Sequence, residues 1–573
     1  MEYTLITGDR NQFELAIELV FTASESEHAL QIPYWRPGRY EGGNFPAKYI
    51  DLRVFSGQNR MKAQKVNPNR WILKTKPGAE IKVTYRYYAS ELTAGNTYFN
   101  DDFLLVNPVN SFLYVPGREG EGTLRLELPE NWTAKTSLKC IDEKGCLYSF
   151  SDIQELLDSP VLAAPEINTL AYNISDIPFF VHFGGVELPN RAEVERDFIA
   201  FTKEQIRHFG EFPVSEYHFI NILLPHKAYH GVEHEKSTVI IYGPAESLTS
   251  RESYCAFLGV SSHELYHTWN VKSLRPEEWT PYNYEGPGFS RLGYVVEGVT
   301  TYMGDWMLWN SRVFSDGEFL DRLTAHVQRH MDNEGRNHIS LADASVDTWV
   351  DGYVRGTPRR KVSIYGEGAL LALVCDLWLV KSSNGISGIN DFMCIMHRKY
   401  GWKRGFTEDD YWRELQSIQS LNWMQLKSDV VDDSGKLINY VEEALEWLGM
   451  KIKVTKSTKF WEREWGMSIA KQNGRFVVSG VRSGSAAEKA GVWFDQEIQA
   501  INGMEPDAFL SGELNFDEAE NTLLVKSDYK IKELKVRADV AKGLDKYKII
   551  RADERIDLFE KWKNAQALHN SAQ

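Results

Sequence analysis

The segment at residues 261–270 contains the pattern His263-Glu264-x-x-His267, which constrains the fold more than any other part of the chain. Side chains four residues apart lie on one face of a helix, so both imidazoles can reach one metal ion while Glu264 lies beside it. Apolar residues recur at helical intervals through residues 252–271: Tyr254, Phe257, Leu258, Leu265 and Trp269. The sequence therefore predicts a mostly buried helix with a Zn²⁺ site. The alternative is a solvated helix face that binds no metal.

A third metal ligand is expected after this helix, because catalytic zinc usually has three protein ligands. Glu285 lies in a turn-rich stretch that should be a surface loop, whereas Glu297 lies in an apolar helical run between Val295 and Val299. Burying a carboxylate among apolar side chains is costly unless a cation accompanies it. We therefore predict that Glu297 is the third ligand, the alternative being a glutamate that faces solvent on an amphipathic helix.

Several further segments resemble those of a known family. They lie at residues 33–40, 231–238, 271–276 and 297–302 and in a C-terminal region with an Ile-Asn-Gly hairpin. They are similar to segments of the PDZ-containing glycyl aminopeptidases, a gluzincin family of zinc metallopeptidases related to thermolysin. The resemblance covers nearly the whole chain. It implies peptide substrates and one Zn²⁺ per chain, with the protein ligands His263, His267 and Glu297.

The resemblance also implies a substrate-binding segment, Gly231-Val-Glu233-His234, followed by an exposed edge strand at residues 237–242. In related aminopeptidases the equivalent of Glu233 binds the free α-amino group of the substrate, and a carboxylate is suited to an ammonium group. This contact would restrict cleavage to one residue at a time. The chain has His230 where the family commonly has glycine. The alternative role of Glu233 is pairing with a surface lysine.

Tyr365 lies in a stretch that resembles the family's Tyr-x-Lys-Gly segment at the start of a helix. The resemblance implies that this tyrosine donates a hydrogen bond to the oxyanion of the reaction, with His234 as the second candidate. The alternative role of Tyr365 is ordinary packing. Glu367 replaces the family's lysine. Asn270 and Arg275 are expected to orient the ligands or the helix end.

The N-terminal and central parts differ in their apolar patterns. Residues 1–170 are predicted to form an antiparallel β-sandwich, because apolar residues alternate along 13–21 and 81–87. Residues 171–450 begin with a strand predicted at 217–224 and are then mostly helical. The resemblance implies that they form a thermolysin-like α+β catalytic domain.

Short strands return near the C terminus. Residues 455–545 resemble a PDZ domain, whose groove can bind a C-terminal peptide, although a purely structural role is the alternative. Residues 546–573 are predicted to be a C-terminal helix and tail, with Ile556, Phe559 and Trp562 on the apolar face of the helix. The predicted fold is therefore multidomain.

Composition limits the partners. A net charge of −15 and a pI near 5.5 argue against nucleic-acid binding, which needs a basic surface. No apolar run of roughly 18 residues is present, so no membrane span is predicted. The first residues lack a basic and apolar leader, and the five cysteines are scattered, which predicts reduced thiols and a cytoplasmic location.

Three functions are compatible with these observations. The first is an aminopeptidase that favours small N-terminal residues such as Gly or Ala, with Glu264 taking a proton from water and delivering it to the leaving amine. The second is a zinc endopeptidase that recruits substrates through its PDZ domain. The third is an inactive binding protein. Peptides with blocked N-termini separate the first two, and a metal assay tests the third.

Overall fold

The computed structural model describes residues 1–8, 13–418, 421–510, 520–552 and 556–563. Among the described helices, none has the length and apolar character needed to cross a bilayer.

The first part of the chain is rich in β-structure. Its strands are β1 Glu2–Thr7, β2 Glu14–Thr22, β3 Glu27–Gln31, β4 Tyr49–Ser56, β5 Asn59–Met61, β6 Ala63–Asn67, β7 Arg70–Lys74, β8 Glu80–Tyr88, β9 Tyr98–Phe99, β10 Leu104–Val106, β11 Gly122–Glu127, β12 Thr133–Thr136, β13 Lys139–Asp142, β14 Leu147–Phe150 and β15 Val161–Ala164. They form sheets in the orders β13-β14-β11-β1-β2-β8-β4-β5, β3-β7-β6 and β12-β15-β10-β9. Short helices α1 Pro108–Ser111 and α2 Ile153–Leu157 connect them.

The alternating apolar residues of β2 and β8 are buried, as predicted. Leu15, Ile17 and Leu19 face the same core as Ile81 and Val83, because β2 and β8 pair antiparallel in one register. The prediction of a purely antiparallel sandwich is wrong at the β1–β11 pair, which is parallel. A parallel pair needs a long crossover connection, and the more than one hundred residues between these two strands supply it.

A mixed sheet supports the central part. Its strands are β16 Asn168–Ile174, β17 Ile177–Gly185, β18 Tyr217–Leu223, β19 Ala228–Glu233 and β20 Ser237–Gly243, in the order β16-β17-β18-β20-β19. The prediction that this part begins at Tyr217 is wrong, because β16, β17 and helix α3 Arg191–Phe209 come first. The predicted edge strand is also wrong. β20 lies inside the sheet, parallel to β18, and its antiparallel partner β19 forms the edge.

The remainder of the central part is helical, as predicted. The α-helices are α4 Arg251–Tyr266, α5 Thr300–Asn310, α6 Asp316–Asp332, α7 Leu341–Asp351, α8 Ile364–Ser382, α9 Ile389–Tyr400, α10 Glu408–Ile418, α11 Trp423–Leu426 and α12 Leu437–Trp447. The π-helices of this part are Thr268–Ser273, Tyr294–Val299 and Lys427–Val431. The 3-10 helices among the described residues are Phe45–Lys48, Ala245–Thr249, Glu277–Trp279, Glu334–Asn337 and Val540–Lys542.

The C-terminal part is again rich in strands. They are β21 Met450–Lys456, β22 Met467–Gln472, β23 Arg475–Val481, β24 Glu497–Ile501, β25 Glu520–Ser527, β26 Lys530–Arg537 and β27 Asp545–Arg551, with helices α13 Phe460–Arg463, α14 Ala486–Lys489, α15 Pro506–Leu510 and α16 Ile556–Lys563. β22 to β26 form one sheet in chain order, and β21 pairs with β27. The assignment of residues 455–545 to a PDZ domain stays a prediction.

Helix α16 packs on the central part. Trp562 is fully buried, its indole N–H donates to Asp376 Oδ2 at 2.8 Å, and its ring lies 5.0 Å from that of Trp309. Residues 564–573 of the predicted tail lie outside the described residues, as does the side chain of Ile556.

Candidate active site

Helix α4 carries the two histidines at its C-terminal end. The Ser250 hydroxyl caps the other end by accepting the backbone N–H of Ser253, and the helix passes into a π-helix directly after His267. The predicted helix at residues 252–271 is thus present, with a change of helix type inside it. Within the π-helical segment Asn270 forms a kink, because its φ of −110° and ψ of 78° are not helical.

The side chains of His263, His267 and Glu297 converge. The two Nε2 atoms are 3.0 Å apart, and Glu297 Oε2 lies 3.6 Å from that of His263 and 3.5 Å from that of His267. Ligands placed about 2.0–2.1 Å from a tetrahedral zinc ion stand roughly 3.4 Å from one another. Glu285 is not part of this group, because it lies at the surface and pairs with Arg70.

Glu297 reaches the histidines from the π-helix that precedes α5. The residue after it, Gly298, lies against Gly368 of α8, and a Cβ at either position would collide with the backbone of the other helix. The two helices therefore approach within backbone contact. This close approach fixes the turn that carries Glu297 against α8.

Asn270 holds His267 in one orientation. The Nδ1–H of His267 donates to the Asn270 carbonyl at 2.8 Å, which leaves Nε2 with a free lone pair for a metal. The Asn270 amide in turn donates to the carbonyls of Val295 at 3.1 Å and Val296 at 3.3 Å. This residue therefore ties the His267 turn to the π-helix that carries Glu297. Arg275 lies further along the chain, where its Nε donates to the Lys272 carbonyl at 2.7 Å.

Three buried carboxylates surround the His267 imidazole: those of Glu233, Glu264 and Glu297. Burial alone would lower the pKa of His267, but these negative charges raise it to about 9. Burial raises the pKa of Glu264 well above its usual range, whereas the charges and hydrogen bonds of the histidines hold the pKa of Glu297 low despite its burial. Such a concentration of buried negative charge is stable only with cations nearby.

The donor set fits a divalent cation. Glu264 is 5% exposed and Glu233 is 3% exposed, and one oxygen atom of each, Oε2 and Oε1 respectively, is buried with no hydrogen-bond donor among the described residues. Two imidazoles and a carboxylate are the ligand set of many catalytic zinc sites. His263, His267 and Glu297 could therefore hold Zn²⁺, with Glu264 beside them.

The edge strand β19 lies against the histidine helix. A Cβ at Gly231 would collide with Glu264 Oε1, so the strand backbone packs directly on the carboxylate. Glu233 ends the same strand and does not pair with a surface lysine. Burial raises the pKa of Glu233, and Glu297 adds to this shift, while His267 opposes it.

His234 faces a different group. Its Nδ1 lies 2.9 Å from Asp158 Oδ1, and the other oxygen of Asp158 lies 2.8 Å from the buried Lys272 ammonium. The remaining His234 nitrogen is buried and has no partner among the described residues. The network joins the N-terminal β-structure to the segment that follows the histidine helix.

Tyr365 lies in the first turn of α8, with its ring 6.4 Å from that of His263. Burial raises the pKa of the Tyr365 hydroxyl well above its usual range, and the Glu297 charge adds to this shift. Glu367, in the same first turn of α8, pairs with the buried His330, whose Nδ1 lies 2.6 Å from the Glu367 carboxylate.

A loop of the N-terminal β-structure, residues 33–40, also enters the site. The Tyr40 hydroxyl donates to Glu297 Oε1 at 2.6 Å, and its ring stacks on that of Trp279. Gly38, at a φ of +79°, covers the carboxylate of Glu233 so closely that a Cβ there would collide with Oε2. Sequence reasoning missed these contacts. The signal that could have found them is the density of proline, glycine and aromatic residues in this segment, which indicates an ordered loop.

Comparisons with known proteins agree with this architecture. The sequence profile described as M61 glycyl aminopeptidase matches residues 256–371, and that of the peptidase M61 N-terminal domain matches residues 2–165. No curated protein matches the sequence. Among solved structures, an aminopeptidase N family protein from Idiomarina loihiensis is similar with a TM-score of 0.91 and 21% identity, over 99% of this chain and 100% of that one.

A more remote similarity, with a TM-score of 0.47 and 15% identity, is to an M1 zinc metallopeptidase from Deinococcus radiodurans, over 77% of this chain and 93% of that one. The family profiles carry the assignment, because they cover both the N-terminal β-structure and the helices with His263, Glu297 and Tyr365. The chain is thereby identified as carrying the N-terminal and catalytic domains of the M61 glycyl aminopeptidase family, as the resemblance predicts.

Proposed function

We propose that the protein is a zinc-dependent aminopeptidase that hydrolyses the N-terminal peptide bond of peptides and favours small first residues such as Gly or Ala. The observation that carries the proposal is the convergence of three potential metal-ligand atoms, 3.0 to 3.6 Å apart, beside the buried carboxylates of Glu264 and Glu233. Each of these carboxylates has one buried oxygen with no donor among the described residues. The name of the family, glycyl aminopeptidase, supports the small first residue.

His263, His267 and Glu297 would hold one Zn²⁺. When bound, the ion supplies a Lewis acid for the scissile carbonyl and activates water at neutral pH. Side chains of the protein carry out the remaining steps. Glu264 accepts the proton of the attacking water, and it then delivers this proton to the leaving amine. Its buried oxygen with no donor is suited to that exchange, because nothing in the described protein competes for it.

Glu233 would bind the substrate ammonium group. The carboxylate ends the edge strand β19 on the side of Glu264, so an extended peptide with its amine at Glu233 would run antiparallel along the strand past Gly231. Only a peptide with a free N-terminus satisfies this charge, which would otherwise be buried without a partner. Tyr365 would donate to the oxyanion that develops on the carbonyl oxygen. His234, tied to Asp158, would help position Glu233.

The domain organisation is part of the proposal. We assign residues 1–170 to an N-terminal domain, 171–450 to the thermolysin-like catalytic domain, 455–545 to a PDZ domain that could bind a C-terminal peptide, and 546–573 to a closing helix and tail. The sheet of β22 to β26 supports the PDZ assignment. The five cysteines are free thiols, which supports a reducing compartment such as the cytoplasm.

The test compares hydrolysis of free-amine and N-acetylated peptides that begin with Gly, Ala, Leu or Glu, with the zinc-loaded protein. Glu264→Gln should abolish hydrolysis while zinc binding is retained. Glu252→Gln, an exposed position on the same helix, is the matched control and should leave the rate unchanged. Cleavage of acetylated peptides would instead favour the endopeptidase. Stoichiometric zinc without any cleavage would favour a binding protein.

Glu233→Gln separates the amine contact from the chemistry. It keeps the shape of the side chain but removes the charge that pairs with the ammonium group. We expect a rise in KM for free-amine peptides of about 10- to 100-fold, because a charge-assisted hydrogen bond is lost. An unchanged KM would remove Glu233 from the proposal while leaving the metal site intact.

A further inference from the structure

Arg36 is a buried cation near the candidate active site that the proposed mechanism does not use. It is 3% exposed, and one guanidinium nitrogen donates to the Pro37 carbonyl at 3.3 Å. Among the described residues no carboxylate lies within ion-pair distance of it, whereas its neighbour Arg39 pairs with Glu41. A buried arginine without an anionic partner is costly, so this position requires a reason.

The guanidinium is held in place from two sides. A Cβ at Gly95 would collide with its atoms, so the backbone of this loop packs directly on the charged group. The neighbouring Ala94 N–H donates to His230 Nδ1 on the edge strand at 3.2 Å. On the other side, Gly38 covers Glu233. Arg36 is therefore fixed beside the part of β19 that runs from His230 to Glu233.

The electrostatic effects agree with this placement. Burial lowers the pKa of Arg36 to about 10, and the Arg39 charge adds to this effect while the Glu233 charge opposes it. Burial, followed by the charges of Arg36 and Arg39, lowers the pKa of His230 to about 3. The Arg36 charge also acts on Glu264. The Arg36 charge thus acts on groups of the edge strand and of the histidine helix alike.

A bound peptide brings a defined atom group to this region. With its amine at Glu233 and its chain antiparallel to β19, its second residue lies beside Gly231 and His230. An extended chain advances about 3.3 Å per residue, so the carboxylate of a dipeptide stands roughly 7 Å from its amine. That length corresponds to two residues of β19, so the carboxylate would lie beside the part of the strand, His230 to Glu233, next to which Arg36 is fixed.

We infer that Arg36 binds a carboxylate carried by the residue that follows the scissile bond. The inference rests on the proposed function and narrows its substrates to peptides with an anionic second residue. The carboxylate has two possible sources, the free C terminus of a dipeptide or an acidic side chain. In either case the planar guanidinium offers paired donors that match the two oxygens, and the ligand supplies the partner that the folded protein lacks.

The first test uses the wild-type protein alone. Initial rates give kcat/KM for Ala-Ala against its C-terminal amide, and for Ala-Glu-amide against Ala-Gln-amide. We expect the carboxylate-bearing member of at least one pair to be preferred by about 10- to 100-fold, the size of a charge-assisted contact. The first pair reports the C terminus and the second the side chain. Ratios near one in both pairs would overturn the inference.

The second test assigns the preference to Arg36. Arg36→Gln should bring the preferred ratio close to one while hydrolysis of the neutral amides continues, and Arg36→Lys should retain part of it. Arg70→Gln is the matched control, since Arg70 joins the same two parts of the chain through Glu285 and should leave the ratio unchanged. An unchanged ratio in Arg36→Gln would refute the role of this residue.

The two proposals fail differently. A wild-type protein that hydrolyses none of the four peptides contradicts the aminopeptidase and the inference together. One that hydrolyses acids and amides equally keeps the aminopeptidase and contradicts only the carboxylate site. Because the wild-type ratios need no variant, the inference stays open to refutation even where a substitution of the buried arginine prevents folding.

Discussion

Replacement of Tyr40 by phenylalanine should weaken zinc binding, although this tyrosine belongs to the N-terminal β-structure. Its hydroxyl donates to Glu297 Oε1 at 2.6 Å, while Oε2 of the same carboxylate faces His263 and His267. The Tyr40 hydroxyl therefore fixes the Glu297 carboxylate from the side opposite the two histidines. Phenylalanine preserves the stacking on Trp279, 5.0 Å between ring centroids, and removes only the donor.

The magnitude follows from the contact. A hydrogen bond to a charged group contributes about 1.5–3 kcal/mol, and one decade in an equilibrium constant corresponds to about 1.4 kcal/mol. The loss of an outer contact to a metal ligand typically costs about 10- to 100-fold in metal affinity. We therefore expect the Kd of zinc for Tyr40→Phe to rise by about 10- to 100-fold.

The assay is competition for zinc with a chromophoric chelator at fixed pH, which reports the Kd without reference to activity. Tyr3→Phe is the matched control, because its hydroxyl is also buried and donates to the Leu113 carbonyl at 3.1 Å, away from the site. This control should lower thermal stability without changing the Kd. A Kd of Tyr40→Phe within twofold of the wild type, or an equal change in Tyr3→Phe, would refute the reasoning.

Three further substitutions test other parts of the structure. Tyr365→Phe should lower kcat by about 10²- to 10³-fold with zinc content unchanged, as for loss of an oxyanion donor, and an unchanged kcat would exclude that role. The pKa of His230 is lowered to about 3 in the folded protein, so between about pH 6.5 and 3 the unfolded chain binds more protons at this residue than the folded one. The free energy of unfolding should therefore fall as the pH drops through this range, by at most about 1.4 kcal/mol per pH unit. His230→Asn, which keeps an acceptor for Ala94 N–H, should flatten this dependence of Tm in calorimetry, and an identical pH profile would contradict the assignment. Trp562→Phe removes a donor from Asp376 and should cost about 1–3 kcal/mol, seen as a lower Tm, whereas an unchanged Tm would show that the contact adds nothing.

Local patterns predicted the helix that carries His263 and His267 and the burial of Glu297. The helix of His263 and His267 follows from apolar periodicity, and the choice of Glu297 over Glu285 follows from the cost of burying a carboxylate. The structure brings Glu297 within 3.6 Å of both histidine nitrogens and leaves Glu285 at the surface. The π-helical turn after His267 was not predicted, because its backbone bond from the Lys272 N–H to the His267 carbonyl at 2.9 Å leaves no mark on the apolar periodicity.

Contacts over long sequence separations were beyond local reasoning. Tyr40 and Glu297 are 257 positions apart, and Arg36 has no periodic signal that places it in the cleft. The prediction of the edge strand was wrong for a related reason, because either of the two consecutive strands β19 and β20 could form the edge of the sheet. The order depends on the parallel pairing of β18 with β20, which a single sequence does not encode locally.

The contact between Gly298 and Gly368 bears on how such a cleft can diversify. No side chain lies between the helices that present Glu297 and Tyr365 at this point, so no rotamer there can lengthen or shorten the separation between them. Loops such as that of Arg36 can exchange residues and thereby alter which peptides enter. The separation between Glu297 and Tyr365, by contrast, is set by two main chains in contact, and any larger residue at either glycine position would push the two helices apart.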